Sequence, residues 1–243
     1  MTLAKTTVKE KLGKAGIVFT YVSDECIALP NGSKIDGVLE LDNDAVIQDY
    51  NSQQVGELLK ELKGDTGTSL RAWDCCAASG GKSILVNDIL PMVSLTVSDV
   101  RASIIQNLQS RFKKAGIDPE KIFVADLSKP LSSTSLRSFD LAICDAPCTG
   151  SGTWGRTPEQ LYYFSEEKID AYADLQKKIV SNVIPHIKTG GYLLYITCSV
   201  FAKENELQSA DILSAGMELV TTKWLKGYDK KADSMYAALF QKR

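Results

Sequence analysis

The stretch FDLAICDAPCTGSG, residues 139–152, decides the fold. It opens as a near-continuous apolar run, LAIC, and a second such run, YLLYI, follows at residues 192–196. Strands that are apolar in both pleat directions belong to sheets covered on both faces. Each run then meets a thiol. Asp145, Pro147 and Cys148 follow the first, and Thr197, Cys198 and Ser199 the second.

Working outward, the chain from residue 46 onward alternates helix and strand. AVIQDYNSQQVGELLKEL, residues 45–62, carries an apolar stripe at Val55, Leu58, Leu59 and Leu62 and predicts a helix. SLRAWDCCA predicts a strand, SGGKSILVNDIL opens a helix, and VSLTVSD predicts the next strand. VRASIIQNLQSRFKKAG is a helix ended by Gly116, and IFVAD is a short strand. EEKIDAYADLQKKIVSNVIPHI is a helix that Pro185 ends or kinks, and NELQSADILSAG is another. MELVTTKW and MYAALFQKR read as terminal strands. Such alternation implies βαβ units, hence an α/β fold with a mostly parallel sheet and helices on both faces. Residues 1–45 read differently. A helix pattern over roughly 5–15 ends at Gly16, IVFTYV and CIAL predict strands, and PNGS a turn. That is too little for a domain and reads as the remnant of a small α+β module. Residues 46–243 form the main domain.

Composition narrows the classes. The 243 residues are 44% hydrophobic and 24% charged, as in ordinary globular domains. No apolar run approaches the ~20 residues of a membrane helix, and the lysine-rich start has no apolar signal core. A cytoplasmic, monomeric protein is expected. The six cysteines include no C-x-x-C pair and there is one histidine, His186, so neither a disulfide framework nor a metal site is expected. His186 reads as structural. The net charge of −2 weakens a nucleic-acid reading without excluding it, because charge can be local. Lys5, Lys9, Lys11 and Lys14 cluster, as do Arg111, Lys113 and Lys114, and Lys226, Lys230 and Lys231. Solvated helix faces explain each group equally well.

Open α/β sheets bind ligands outside the carboxyl ends of their strands. Those ends place Asp74, Asp99, Asp126, Asp145, Cys148 and Cys198 on one rim. The turn Cys76, Ala77, Ala78, Ser79, Gly80, Gly81, Lys82 is small enough for close backbone approach, and a helix offers free N–H groups behind it. It lacks the spacing of dinucleotide and P-loop fingerprints, and a plain tight turn remains an alternative. Asp99 suits both ribose hydroxyls of a nucleoside cofactor, and Asp126 an adenine amino group. A cap or turn role is as consistent with Asp126. If the two thiol-ended strands are neighbours, their ends lie ~5 Å apart and both thiols flank one pocket. They are then candidate nucleophiles, with inert core thiols or a disulfide as alternatives.

Taken together, IQDYNSQ, DCCAASGGKS, CDAPCTGSG, YITCSVFAKENE and DSMYAALFQKR resemble, in order and spacing, the RNA cytosine-5 methyltransferases. The likeness is to the RsmB-like (Sun/Fmu) branch of bacterial ribosomal-RNA enzymes. It covers residues 46–243 and, more faintly, 1–45. The resemblance implies a class I (Rossmann-like) methyltransferase fold with a seven-stranded sheet, S-adenosylmethionine as cofactor and RNA as partner, ribosomal RNA before tRNA. It implies that Cys198 is the nucleophile, that Cys148 helps release the product and that Asp145 hydrogen-bonds the cytosine edge. By the same likeness Cys76 to Lys82 wrap the methionine part of the cofactor, with Asp99, Asp126 and Asp145 completing its site. Lys82 and Arg156 are the implied RNA contacts.

Departures are visible. Ser79 stands where the family usually has proline, Arg156 is the one basic residue of a usual pair, and Ser234-Met235-Tyr236 replaces G-F-F. Such proteins usually carry an RNA-binding module ahead of the catalytic domain, and residues 1–45 are expected to correspond to its last part, as in a fragment or a compact version. An amino-group methyltransferase would carry P-P-[YF] after the strand acid, where this chain has Pro147-Cys148. A non-catalytic RNA-binding protein that keeps the fold, or a nicotinamide dehydrogenase, fits less well.

Overall fold

The computed structural model describes residues 2–64, 69–90, 92–131, 136 and 138–243; the side chain of Lys5 lies outside the described residues. Nine strands and six α-helices follow in order among them. They are α1 (Thr2–Lys14), β1 (Thr20–Ser23), β2 (Cys26–Ala28), α2 (Tyr50–Gln54), β3 (Arg71–Asp74), α3 (Gly81–Ile89), β4 (Ser94–Asp99) and α4 (Ala102–Ala115). Then come β5 (Lys121–Val124), β6 (Phe139–Asp145), α5 (Glu167–Val183), β7 (Ile187–Thr197), α6 (Glu206–Ser214), β8 (Met217–Leu225) and β9 (Met235–Lys242).

Seven strands form one sheet in the order β5-β4-β3-β6-β7-β9-β8. The pairs from β5 through β7 are parallel, and β9 runs antiparallel to both β7 and β8. The apolar runs have the cause inferred from sequence, because each strand feeds two cores. Leu141, Ile143, Leu194, Ile196, Ala237 and Leu239 pack on one face with Ile84, Leu108 and Phe112 of α3 and α4. Phe139, Ala142, Cys144, Leu193, Tyr195 and Phe240 pack on the other with Ile179, Val180, Val183 and Ile212 of α5 and α6. The order reverses between β3 and β6, and such a switch opens a crevice at the carboxyl ends.

The stretch 45–62 departs from its expected helix. Asp49 accepts the N–H groups of Asn51 at 2.9 Å and Ser52 at 3.1 Å, so α2 begins only at Tyr50. The chain then tightens to a 3₁₀ helix over Val55–Gly64. Residues 1–45 supply α1, the β1–β2 hairpin and a small core of Val8, Leu12, Ile35 and Leu39. Arg111 of α4 ties that segment to the main sheet: it holds Asp42 through two nitrogens, at 2.9 and 2.6 Å, and donates to the Ser79 carbonyl at 2.9 Å. Lys11 pairs with Asp44. The basic clusters are thus partly structural. Among the described residues no helix is long and apolar enough to cross a membrane.

Candidate active site

The turn after β3 is built from below. Ala77 donates its N–H to the Ser98 carbonyl at 3.0 Å, and Ala78 donates to Asp99 Oδ2 at 2.9 Å. Ala78 and Gly80 both lie in the left-handed region, at φ 47 and 86. A Cβ on Gly80 would stand 2.7 Å from Phe112 Cε1, so only glycine fits. Cys76 is half-buried, Ser79 faces out and Gly81 opens α3.

Asp74, beneath this turn, is fully buried. One carboxyl oxygen accepts Ser83 Oγ at 2.6 Å, and the other, Oδ1, has no partner. Burial pushes its pKa up to about 7, against the opposing Ser83 hydrogen bond. Between the ordinary value of 3.8 and 7 the folded chain therefore holds the proton more tightly than the unfolded chain. The stabilisation this brings is complete below 3.8 and is lost as pH rises through 7. Relative to Asp74→Asn, the wild-type melting temperature is expected to fall progressively from about pH 4 to about pH 7 and to level off above that; a constant difference would contradict this.

Around the rim, burial works against the Asp99 charge, but Arg101 and the N–H groups of Arg101 and Ala78 outweigh it and lower the pKa. Arg101 grips both oxygens, at 2.9 and 3.1 Å. Exposed Asp126 is held low by Ser128 and Lys129. Lys82 is nearly buried, and its ammonium sits 3.1 Å from Asp145 Oδ2 while donating to Ser52 Oγ at 2.6 Å.

The two thiols meet. β6 and β7 are paired neighbours, and Cys148 Sγ lies 3.3 Å from Cys198 Sγ, both half-buried and free. The hydrogen bond shared with Cys198, reinforced by burial, pushes the Cys148 thiol well above its usual range, so Cys148 keeps its proton. The Cys148 loop folds back onto the Cys198 strand: Gly152 donates to the Cys198 carbonyl at 2.9 Å, and Ser234 donates to the Gly152 carbonyl at 2.9 Å. A Cβ on Gly152 would lie 1.9 Å from the Ser234 carbonyl oxygen and 3.0 Å from that of Cys198. Gly152→Ala is expected to destabilise the fold by about 3 kcal/mol. Chemical denaturation checks this, and an unchanged midpoint would contradict the close approach.

Other residues are placed where sequence could not put them. Arg156 pairs with Asp233 through two nitrogens, at 2.7 and 2.9 Å, and Asp233 in turn donates its N–H to Asp49. Its guanidinium therefore braces the loop before β9, while its side chain stays 63% exposed. Glu204 is fully buried between the two thiol-bearing segments and was not singled out from sequence. The only signal was its place in YITCSVFAKENE, where it reads as an ordinary surface acid ahead of a helix. Cys75, Cys76 and Cys144 bring their sulfurs within 4.8 Å of one another, although no cysteine spacing suggested it. His186 packs edge-on against Trp73, 5.8 Å between centroids.

The geometry tests well for an adenosine-type cofactor with a charged amino-acid end. Asp74 Oδ1 is an orphaned buried acceptor, and the glycine turn above it leaves backbone exposed for close approach.

Comparisons with known proteins agree with this arrangement. The protein PH0851 superposes with a TM-score of 0.83 at 25% identity, covering 97% of this chain and 56% of that one. NSun6 from Pyrococcus horikoshii, solved with SFG, gives 0.74 at 19% identity over 89% of this chain and 57% of that one, a likeness of fold alone. The sheet order and these superpositions make the fold that of class I methyltransferases. The ribosomal RNA small subunit methyltransferase B of Cronobacter sakazakii is 33% identical over 168 residues, which is 69% of this chain and 38% of that protein. The chain thus spans little more than a third of the length of that curated relative. A family model described as 16S rRNA methyltransferase RsmB/F matches residues 58–240, three quarters of the chain and all the acids and thiols of the rim, and the chain belongs to that family.

Proposed function

We propose that this chain methylates carbon 5 of a cytosine in RNA, with ribosomal RNA as the substrate. The observation that carries the reading is the pair of sulfurs 3.3 Å apart beside Asp145 at the carboxyl ends of adjacent strands. Cytosine carbon 5 is a poor nucleophile. A thiolate adding to carbon 6 turns it into an enamine-like carbon. S-adenosylmethionine, when bound, supplies an electrophilic methyl group. Asp74, the turn from Cys76 to Lys82, Asp99 and Asp126 would hold it, with Arg101 yielding Asp99 to the ribose.

Cys198 is the thiol that adds to carbon 6 as thiolate, and its place at the end of β7, beside Cys148, supports this role. Asp145 accepts from the N3 and N4 edge of the base and favours protonation at N3, which makes carbon 6 electrophilic. Lys82, 3.1 Å from it, fixes that carboxylate in place. A base must then take the carbon-5 proton; the electrons of that bond restore the carbon 5–carbon 6 double bond as the carbon–sulfur bond breaks and Cys198 leaves as thiolate. Cys148 stands close enough to act on the adduct as it collapses. The base reaches this pocket only out of its stack, at a cost of a few kcal/mol. Arg156 contributes an exposed cation near the flipped nucleotide.

Labelled S-adenosylmethionine offered with small-subunit ribosomal RNA and, separately, with tRNA tests the reading. Label in 5-methylcytosine of the ribosomal RNA is expected. Label in tRNA alone would move the substrate to tRNA, and label on another atom would overturn the reaction.

A further inference from the structure

The segment Pro147–Thr149 carries one thiol and must be kept against a strand that ends on the other. Its far side is held by backbone, through the Gly152 N–H to the Cys198 carbonyl, and by Ser151 Oγ, which accepts the Val200 N–H at 2.9 Å. Its near side, around Cys148 itself, is held by one buried carboxylate. Glu204 Oε1 accepts the Thr149 N–H at 2.9 Å and Gln176 Nε2 at 3.1 Å. Oε2 accepts Thr149 Oγ1 at 2.6 Å and the hydroxyl of Ser199, the residue after Cys198. Gln176 also donates to the Pro147 carbonyl at 2.9 Å, so both neighbours of Cys148 are tied to this one group.

The carboxylate cannot swing away. Tyr195, buried in β7, donates its hydroxyl to the Glu204 carbonyl at 2.8 Å, and the Glu204 N–H bonds the Phe201 carbonyl at 3.0 Å. Glu204 has no exposed surface. A carboxyl that deep is tolerated only when its oxygens are hydrogen-bonded, and four donors fill the four acceptor sites they offer. An acid placed there for packing alone would be a poor choice. We propose that Glu204 is a positioning residue whose carboxylate clamps the Cys148 loop to the end of the Cys198 strand and so holds the two sulfurs in register on one base.

The activity arm of this proposal rests on the methyl-transfer reading, and a second arm does not. Diamide joins adjacent thiols into a disulfide, taking up their two hydrogens itself, and needs neither RNA nor cofactor. The Cys148–Cys198 disulfide is quantified by peptide mass spectrometry in wild type, Glu204→Gln and Glu204→Ala, each verified as folded by circular dichroism. Glu204→Ala is expected to slow this disulfide about tenfold and to lower kcat about 100-fold, with KM for RNA changed less than about threefold. Glu204→Gln keeps the volume and one acceptor oxygen, and is expected to recover roughly half of each loss on a logarithmic scale. Should the alanine variant not fold, the glutamine variant decides alone, with an expected threefold slower disulfide and about tenfold lower kcat. Wild-type disulfide rates in the folded variant would overturn the proposal. If wild type methylates no RNA, the reading of the reaction fails while the disulfide arm still decides the clamp.

Discussion

Cys198→Ala is expected to lower methyl transfer to cytosine by at least about 10⁴-fold in kcat while leaving the chain folded. The size follows from the chemistry. Without a nucleophile at carbon 6, carbon 5 keeps its aromatic electron distribution and no neighbouring group can replace the attack. Cys148 lies 3.3 Å away on a different loop, and the Gly152 hydrogen bond to the Cys198 carbonyl, made by backbone, survives the substitution. The stability change is expected to be small, within about 1 kcal/mol, since Cys198 is half-buried and the deletion removes one sulfur. Transfer measured with labelled S-adenosylmethionine, beside a denaturation curve, separates the two effects. Activity above about one hundredth of wild type would assign the attack elsewhere.

Cys148→Ser is expected to separate bond making from bond breaking. The first turnover proceeds, because Cys198 remains. Later turnovers fall by about 10³-fold, because release of the methylated base loses the group beside the carbon–sulfur bond. A burst of about one methyl per protein, followed by a near-flat phase, is the kinetic signature. A denaturing gel would show RNA migrating with protein. Steady turnover at the wild-type rate, with no such band, would remove Cys148 from the release step. The two variants are predicted to differ in kind, since one does not form the adduct and the other forms it but resolves it slowly.

Much of the scaffold was legible because a few strands dominate it. FDLAICD matches β6 residue for residue, and the apolar YLLYI falls inside β7, since both strands feed a core on each face. The rim followed from the sheet, and the sheet from the alternation. The helix expected at 45–62 starts late for a local reason: Asp49 caps it, so helical structure begins at Tyr50 and passes into a 3₁₀ helix at Val55, with Val55, Leu58 and Leu59 buried as expected. The remaining gaps share another cause. Glu204 meets Thr149 from 55 residues away, Arg156 meets Asp233 from 77, and Cys144 joins Cys75 and Cys76 only because β6 lies beside β3. Periodicity shows which face a residue is on and carries no signal for which distant polar group will share its pocket. A glutamate in FAKENELQS reads as solvated on any local scale, and only the folded partners reveal it as fully buried.

The most direct test is where the RNA becomes attached. Cys148→Ser protein, RNA and S-adenosylmethionine are mixed, quenched by denaturation, digested with nuclease and protease, and the nucleotide-bearing peptide is sequenced by mass spectrometry. A methylated cytidine on Cys198 is expected. Attachment at another residue, or methylated RNA formed with no attached nucleotide at any time point, would contradict the two-thiol mechanism.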